Sequence, residues 1–223
     1  MIKIPGLVVR DRIARSTLLD VYRCTRNSDN RSLVLKVGRT DITWPAGAQE
    51  RLLVGSELHA RIKHPNVVPL FHYGLQEGVF YAVEGYISGP DLATELTSGI
   101  SLPTLTAQLL GIAEGLAEVH ANDAVHGDVK PEHIKIRGNG TAQLLDFGFA
   151  SPTSTHHATW GSPGYLSPEQ VAGQPVDARS DIFSLGVVLF KALTGYLPYG
   201  AQQNGTAIAY DRIPRLPDQD RKS

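Results

Sequence analysis

Through residue 90 the apolar positions come in short runs that alternate with polar ones. LVVRDRI, DVYRCTR and SLVLKVG carry Val, Leu and Ile at strand spacing, with the turn residues NSDN before the third. HPNVVPLFHYG and VFYAVEGYI read as two further strands separated by QEG. One helix interrupts them over about residues 46–62, with Leu52, Leu58 and Ile62 on its inward face. ISGPD then punctuates the chain, and the apolar spacing lengthens. Leu105, Leu109, Ile112, Leu116 and Val119 recur three and four apart and predict a helix over 104–122 with one apolar face. A second helix, about 180–194, is apolar nearly all round, the pattern of a buried helix. Two short strands, 134–136 and 142–145, and a long loop lie between the helices. A strand-rich lobe over 1–86 followed by a helical lobe over 87–223 predicts a bilobal α+β arrangement with a cleft between the lobes.

Composition narrows the classes of function. With 223 residues and 42% hydrophobic side chains, the chain can build a sizeable core. A formal net charge of −1 argues against a general electrostatic grip on nucleic acid or an anionic membrane. The single cysteine, Cys24, excludes an internal disulfide framework and suits a reducing, cytoplasmic setting. MIKIPGLVVRDRIARS has no apolar stretch of signal-peptide type. The longest apolar run, 182–193, is broken by Ser184, Gly186 and Lys191 and is too mixed to span a bilayer. There is no internal repeat and no low-complexity tract.

Six motifs occur in order: LVLKV, HPNVV, HGDVKPEH, LLDFGFA, GSPGYLSPE and DARSDIFSLGVVLFKALTG. Their identity and spacing resemble the protein kinase family, in its bacterial Ser/Thr-directed form, over nearly the whole chain. The resemblance implies ATP and magnesium, or manganese, as cofactors and a protein as substrate or regulatory partner. It casts Lys36 as the residue that holds nucleotide phosphates, and a lysine in an apolar strand requires an anionic partner in any case. Asp128 would accept the proton of the substrate hydroxyl, and Lys130 would steady the transferred phosphate. Asp146 would bind the metal, as a hard carboxylate donor should. Ser162 stands where the family uses a hydroxyl bridging the catalytic Asp and Lys. Asp181 would brace the catalytic loop, and His126 and Phe147 would pack between the lobes. Ala14 and Val21 fall on the part of the first hairpin that covers ATP. Gly127 replaces an arginine that in many kinases reads loop phosphorylation, so Ser151, Thr153, Ser154, Thr155 and Thr159 read as plain solvent-facing residues.

The chain departs from the family in several places. The three positions of the glycine-rich loop fall at Ala14, Ser16 and Leu19, where side chains work against close backbone approach to phosphate. Arg15 either offsets that loss with its charge or sits as an exposed hairpin arginine. The helix glutamate that pairs with the lysine falls at Gly55, and Glu57 lies about 200° around the helix. FYAVEGYISGPDL resembles the strand and hinge that hold adenine, and places Glu84 at the back wall beside the lysine strand. Glu84 is therefore expected to replace the helix glutamate and pair with Lys36, the alternative being a register slip that turns it to solvent. His133 stands where the family uses a metal-binding asparagine. It either hydrogen-bonds within its loop and leaves one metal site on Asp146, favours manganese or another transition metal, or ends useful metal binding. A zinc site from His120, His126 and His133 has no supporting ligand spacing. Glu169 usually pairs with an arginine from later helices; Arg212 and Arg215 are the nearest substitutes. The helical lobe reads as incomplete after about 200, which predicts exposed apolar surface. Three functions follow: a Ser/Thr protein kinase of reduced activity, a pseudokinase acting as a nucleotide- or partner-binding module, and a small-molecule phosphotransferase. The GSPGYLSPE segment, which shapes a peptide-docking loop in the family, argues against the third.

Overall fold

The computed structural model describes residues 3–154 and 161–199. Five antiparallel strands form the first lobe: β1 (Leu7–Arg15), β2 (Leu19–Arg26), β3 (Ser32–Gly38), β4 (Leu70–Gln76) and β5 (Val79–Gly85), in the order β1-β2-β3-β5-β4. Helix α1 (Ala48–Arg61) lies between β3 and β4 in the chain. Alternation along the strands gives the sheet two apolar faces. Cys24, Leu33, Leu35, Val37 and Val83 fill one, while Leu19, Phe80 and Ala82 join Leu52 of α1 on the other. The Cys24 thiol is fully buried, and burial pushes its pKa up.

The second lobe is built on α2 (Leu92–Ser98), α3 (Leu102–Ala121), α4 (Pro168–Val171) and α5 (Ala178–Thr194). Two small antiparallel pairs carry the loops of the cleft: β6 (Ala124–Val125) with β9 (Ser151–Pro152), and β7 (Ile134–Ile136) with β8 (Ala142–Leu144). The predicted face of α3 is the core: Leu105, Leu109, Ile112, Leu116 and Val119 are all buried. Ser101 caps the helix by accepting from the Thr104 N–H. The expected α+β, bilobal architecture is therefore present.

Three expectations need correction. HPNVV is not strand: β4 begins at Leu70, and the buried Val67 and Val68 reach the second lobe instead, where the Val68 N–H donates to the Leu144 carbonyl. Helix α2 has no counterpart in the sequence reading, although Asp91 caps it and Gly99, at φ +86°, ends it. Helix α5 is not buried all round. Val187 and Val188 are buried, but Ile182, Leu189 and Leu193 lie along an outward stripe and are 52%, 41% and 43% exposed. Their spacing of seven and four places them on one side of the helix. Exposed apolar surface on this lobe was expected, and this stripe carries part of it. No helix among the described residues is long and apolar enough to cross a membrane.

Candidate active site

The site begins with the register of β3 against β5. Val34 pairs with Glu84 and Lys36 with Ala82, so Lys36 and Glu84 are diagonal neighbours on one face of the sheet. Long side chains span such a diagonal, and Lys36 Nζ lies 3.0 Å from Glu84 Oε1. The same ammonium lies 3.2 Å from Asp146 Oδ1. Burial alone would push the Lys36 pKa down; the Asp146 and Glu84 carboxylates outweigh it and hold it above its usual value. Burial would likewise raise Asp146, but Lys36, followed by His133, holds it well below the usual carboxylate range. The ammonium that the sequence left without a helix partner thus has two anionic ones.

Gly55 explains why the helix supplies neither. It is buried, and a Cβ there would collide with the carbonyl oxygen of Phe147. The backbone after Asp146 occupies the space a glutamate would need. Glu57 points away, as its angular position predicts, and pairs with Arg61 at 2.6 Å on the exposed side. One turn beyond Gly55, His59 stacks on the Phe147 ring at 4.1 Å and 14°, and His126 meets that ring edge-on at 4.7 Å. His59 Nε2 donates to the Val68 carbonyl at 2.7 Å. Burial keeps its pKa below the ordinary histidine value. These three rings tie α1 to both loops of the cleft.

The HGD loop turns at Gly127, whose φ of +78° favours glycine. Asp181, at the start of α5, accepts from the backbone N–H of His126 and of Gly127, both at 2.8 Å. His126 donates through Nε2 to the Leu145 carbonyl at 2.8 Å and accepts the Asp128 N–H at Nδ1. Both its nitrogens are used. Asp128 is buried, and its Oδ1 has no hydrogen-bond partner. A buried carboxylate oxygen without a partner costs stability, which marks Asp128 as a group kept for chemistry rather than for the fold. Lys130 Nζ lies 3.4 Å from Asp128 Oδ2 and donates to Ser162 Oγ at 2.5 Å. Glu169 accepts from the Ser180 hydroxyl; Arg212 and Arg215 lie outside the described residues. Ser151 is buried in β9, contrary to the reading of that loop as solvent-facing, while Thr153 and Ser154 are exposed. Thr155 and Thr159 lie outside the described residues.

His133 sits between the two acidic residues. Its Nδ1 lies 2.9 Å from the Asp128 carbonyl oxygen and 3.3 Å from Asp128 Oδ2, and its Nε2 lies 3.4 Å from Asp146 Oδ2. Burial lowers its pKa, although the Asp146 and Asp128 carboxylates oppose the shift. Asp146 has one oxygen on Lys36 and its other turned to the cleft, a donor set that fits a divalent ion completed by phosphates and water. Among the described residues no three His, Cys, Asp or Glu side chains form a metal cluster. His120 Nε2 lies 2.8 Å from Asp181 Oδ2, and His126 uses both ring nitrogens within its loop.

Above these residues lies a cavity of about 450 Å³ lined by Ala14, Val21, Lys36, Glu84 and Asp146 among others. A neighbouring cavity of about 390 Å³ reaches from Ser16 and Thr17 to Asp128, Lys130 and His133. The hairpin between them is closed on itself. The Ser16 N–H donates to the Leu19 carbonyl at 2.8 Å, and the Leu19 N–H donates to Ser16 Oγ at 3.0 Å. Leu19 is buried beside Leu52, Phe80 and Ala82, so the third glycine position has become core. Arg15 is held by Asp20 at 2.6 Å and Asp41 at 3.4 Å and remains on the hairpin.

A family model described as "Protein kinase domain" matches residues 12–221. The chain belongs to the protein kinase family. Among curated proteins this kinase domain is 35% identical over 192 residues to the serine/threonine-protein kinase pkn2 of Myxococcus xanthus, covering 81% of this chain and 23% of that one. It is 33% identical over 182 residues to the serine/threonine-protein kinase PrkC of Bacillus subtilis, 78% of this chain and 28% of that one. With PknH of Mycobacterium bovis it shares 29% over 212 residues, 92% and 36%. The chain thus spans about a quarter to a third of the length of these relatives. The kinase residues named from sequence converge on one cleft: Lys36, Glu84, Asp128, Lys130, His133 and Asp146 all line the two cavities. His59 was missed. The sequence places it one turn past Gly55 on the inward face of α1, and only the fold shows the ring it meets.

Proposed function

We propose that the chain is the catalytic domain of an ATP-dependent Ser/Thr protein kinase, with a small lobe over 1–86 and a larger one over 87–223. The observation that carries this reading is the buried Asp128 carboxylate, whose Oδ2 lies 3.4 Å from the Lys130 ammonium and whose Oδ1 has no hydrogen-bond partner. A Ser or Thr hydroxyl at the Asp128 carboxylate gives up its proton to it as the hydroxyl oxygen bonds to the γ-phosphorus. The bond to the bridging oxygen breaks, and ADP leaves with that electron pair. Lys130, fixed by Ser162, faces the charge on the transferred group. Lys36, held by Glu84 rather than by α1, binds the phosphates on the far side. A divalent ion on Asp146 would supply neutralisation of phosphate charge. Ala14 and Val21 cover the nucleotide. Protein substrates and a cytoplasmic location belong to the same proposal.

The test is thermal unfolding with ATP and a divalent ion, followed by transfer of labelled phosphate to a protein substrate. Nucleotide at about 100 times its dissociation constant raises stability by about 2.7 kcal/mol. Transfer that Asp128→Asn abolishes supports the enzyme. The closed Ser16–Leu19 hairpin favours a second reading, a pseudokinase. Nucleotide stabilisation with no transfer under any ion would establish it.

A further inference from the structure

The peptide plane that joins Gly127 to Asp128 has a partner at each of its two polar atoms. Its N–H, that of Asp128, donates to His126 Nδ1 at 3.2 Å. Its oxygen, the Gly127 carbonyl, accepts from Gln170 Nε2 at 2.9 Å. Gln170 is buried and lies in α4, 43 residues along the chain. Its second amide atom fixes which way the group is turned. Oε1 faces the Ser167 N–H at 3.0 Å, and a backbone N–H only donates, so the nitrogen is left for the carbonyl. The segment from Gly161 to Gln170 therefore meets the HGD loop at both ends. A Cβ at Gly161 would lie 3.0 Å from the same Gly127 oxygen, and Ser162 accepts from Lys130.

We propose that Gln170 is a positioning residue for Asp128: its amide fixes the Gly127–Asp128 peptide plane and so aims the carboxylate that follows. A peptide unit is planar and turns as a whole. At Gly127, with φ +78° and no side chain, sterics resist that turn little, and the hydrogen bonds must hold it instead. A rotation that swings the Gly127 oxygen away from Gln170 also pulls the Asp128 N–H off His126 and tilts the Asp128 side chain. Displacing a reacting group by about 1 Å can cost about 100-fold in rate. The same bond couples the GSPGYLSPE segment to the base, so the two are set together. The consequence for rate rests on the proposed phosphate transfer; the placement of the peptide rests on the hydrogen bonds alone.

Two variants of the whole chain separate this role from packing. Gln170→Glu keeps an acceptor for the Ser167 N–H but sets a carboxylate oxygen against the Gly127 carbonyl. Ser167→Ala removes the hydroxyl that caps α4 and leaves the Gln170 amide in place. With labelled ATP and a protein substrate, kcat should fall about tenfold or more in Gln170→Glu, with KM for ATP held within about twofold. Ser167→Ala should lower Tm by a few degrees and keep kcat. Amide hydrogen exchange, read by NMR, needs no turnover. The Gly127 and Asp128 N–H should exchange about tenfold faster in Gln170→Glu than in the native chain, and no faster in Ser167→Ala. Gln170→Met, which removes the donor without adding charge, carries the same expectations if the glutamate variant does not fold. Native exchange at both amides in a folded Gln170 variant overturns the proposal, whether or not phosphate moves. Equal losses of kcat in the Gln170 and Ser167 variants also overturn it, because the cap would then carry the effect. Faster exchange in a chain that transfers no phosphate upholds the placement by Gln170 and overturns the proposed function instead.

Discussion

Glu84 is the residue on which the site's charge balance turns. Removing its charge leaves the buried Lys36 with Asp146 alone, and losing one partner of a buried charge pair costs about 3–5 kcal/mol. Glu84→Gln keeps the shape and one acceptor, so the expected loss in kcat/KM for ATP is about 10–100-fold, read by steady-state kinetics. Adding Gly55→Glu should not rescue it, because the Phe147 carbonyl fills that space. His59 gives a pH prediction. Its folded pKa lies below its ordinary value of 6.5, so the unfolded chain binds the extra proton first. The contribution of neutral His59 is complete above about pH 6.5 and is lost as the pH falls below it. His59→Phe should lower Tm by a few degrees at pH 7.5, since the Val68 bond is worth about 1 kcal/mol. It should also lose less Tm between pH 7 and pH 5 than the native chain does, by scanning calorimetry.

At the scale of elements, the first hairpin shows that a family position can change its job. Leu19 stands where a glycine would serve phosphate, yet it is core. Leu19→Gly should therefore destabilise the fold by about 3 kcal/mol, roughly 6–12 °C in Tm, rather than improve nucleotide binding. Thermal unfolding with and without ATP separates the two effects. The same hairpin marks the limit of what the sequence reveals. The Lys36–Glu84 pair is legible because strand alternation and the β3–β5 register follow from short-range pattern. The missing glutamate at Gly55 is legible as a glycine, but its cause is a carbonyl 92 residues later, which no local pattern carries. HPNVV misleads for a related reason: two buried valines mimic a strand while serving contacts to the other lobe. Helix α2 is short enough that its cap and terminal glycine were the only signals.

Over the whole molecule, α5 divides into a buried side and an outward apolar stripe. Val188→Ala should cost about 2 kcal/mol, whereas Leu189→Lys with Leu193→Lys should change stability by less than about 0.5 kcal/mol. Denaturant melts check both. The same double variant should reduce self-association in sedimentation at high concentration, since contiguous exposed apolar surface promotes it. The lobes meet through the ring column of His59, Phe147 and His126. Phe147→Ala should cost about 3–5 kcal/mol and lower phosphate transfer together with stability.

The contact at Gly55 limits which substitutions the site tolerates. With the Phe147 backbone seated where a side chain would go, a carboxylate at position 55 cannot take over from the one at position 84. A glutamate acquired at 55 meets a wall, and a neutral residue acquired at 84 leaves the lysine with Asp146 alone. The two positions are therefore coupled: the backbone beside Gly55 leaves position 84 to supply the second carboxylate of Lys36.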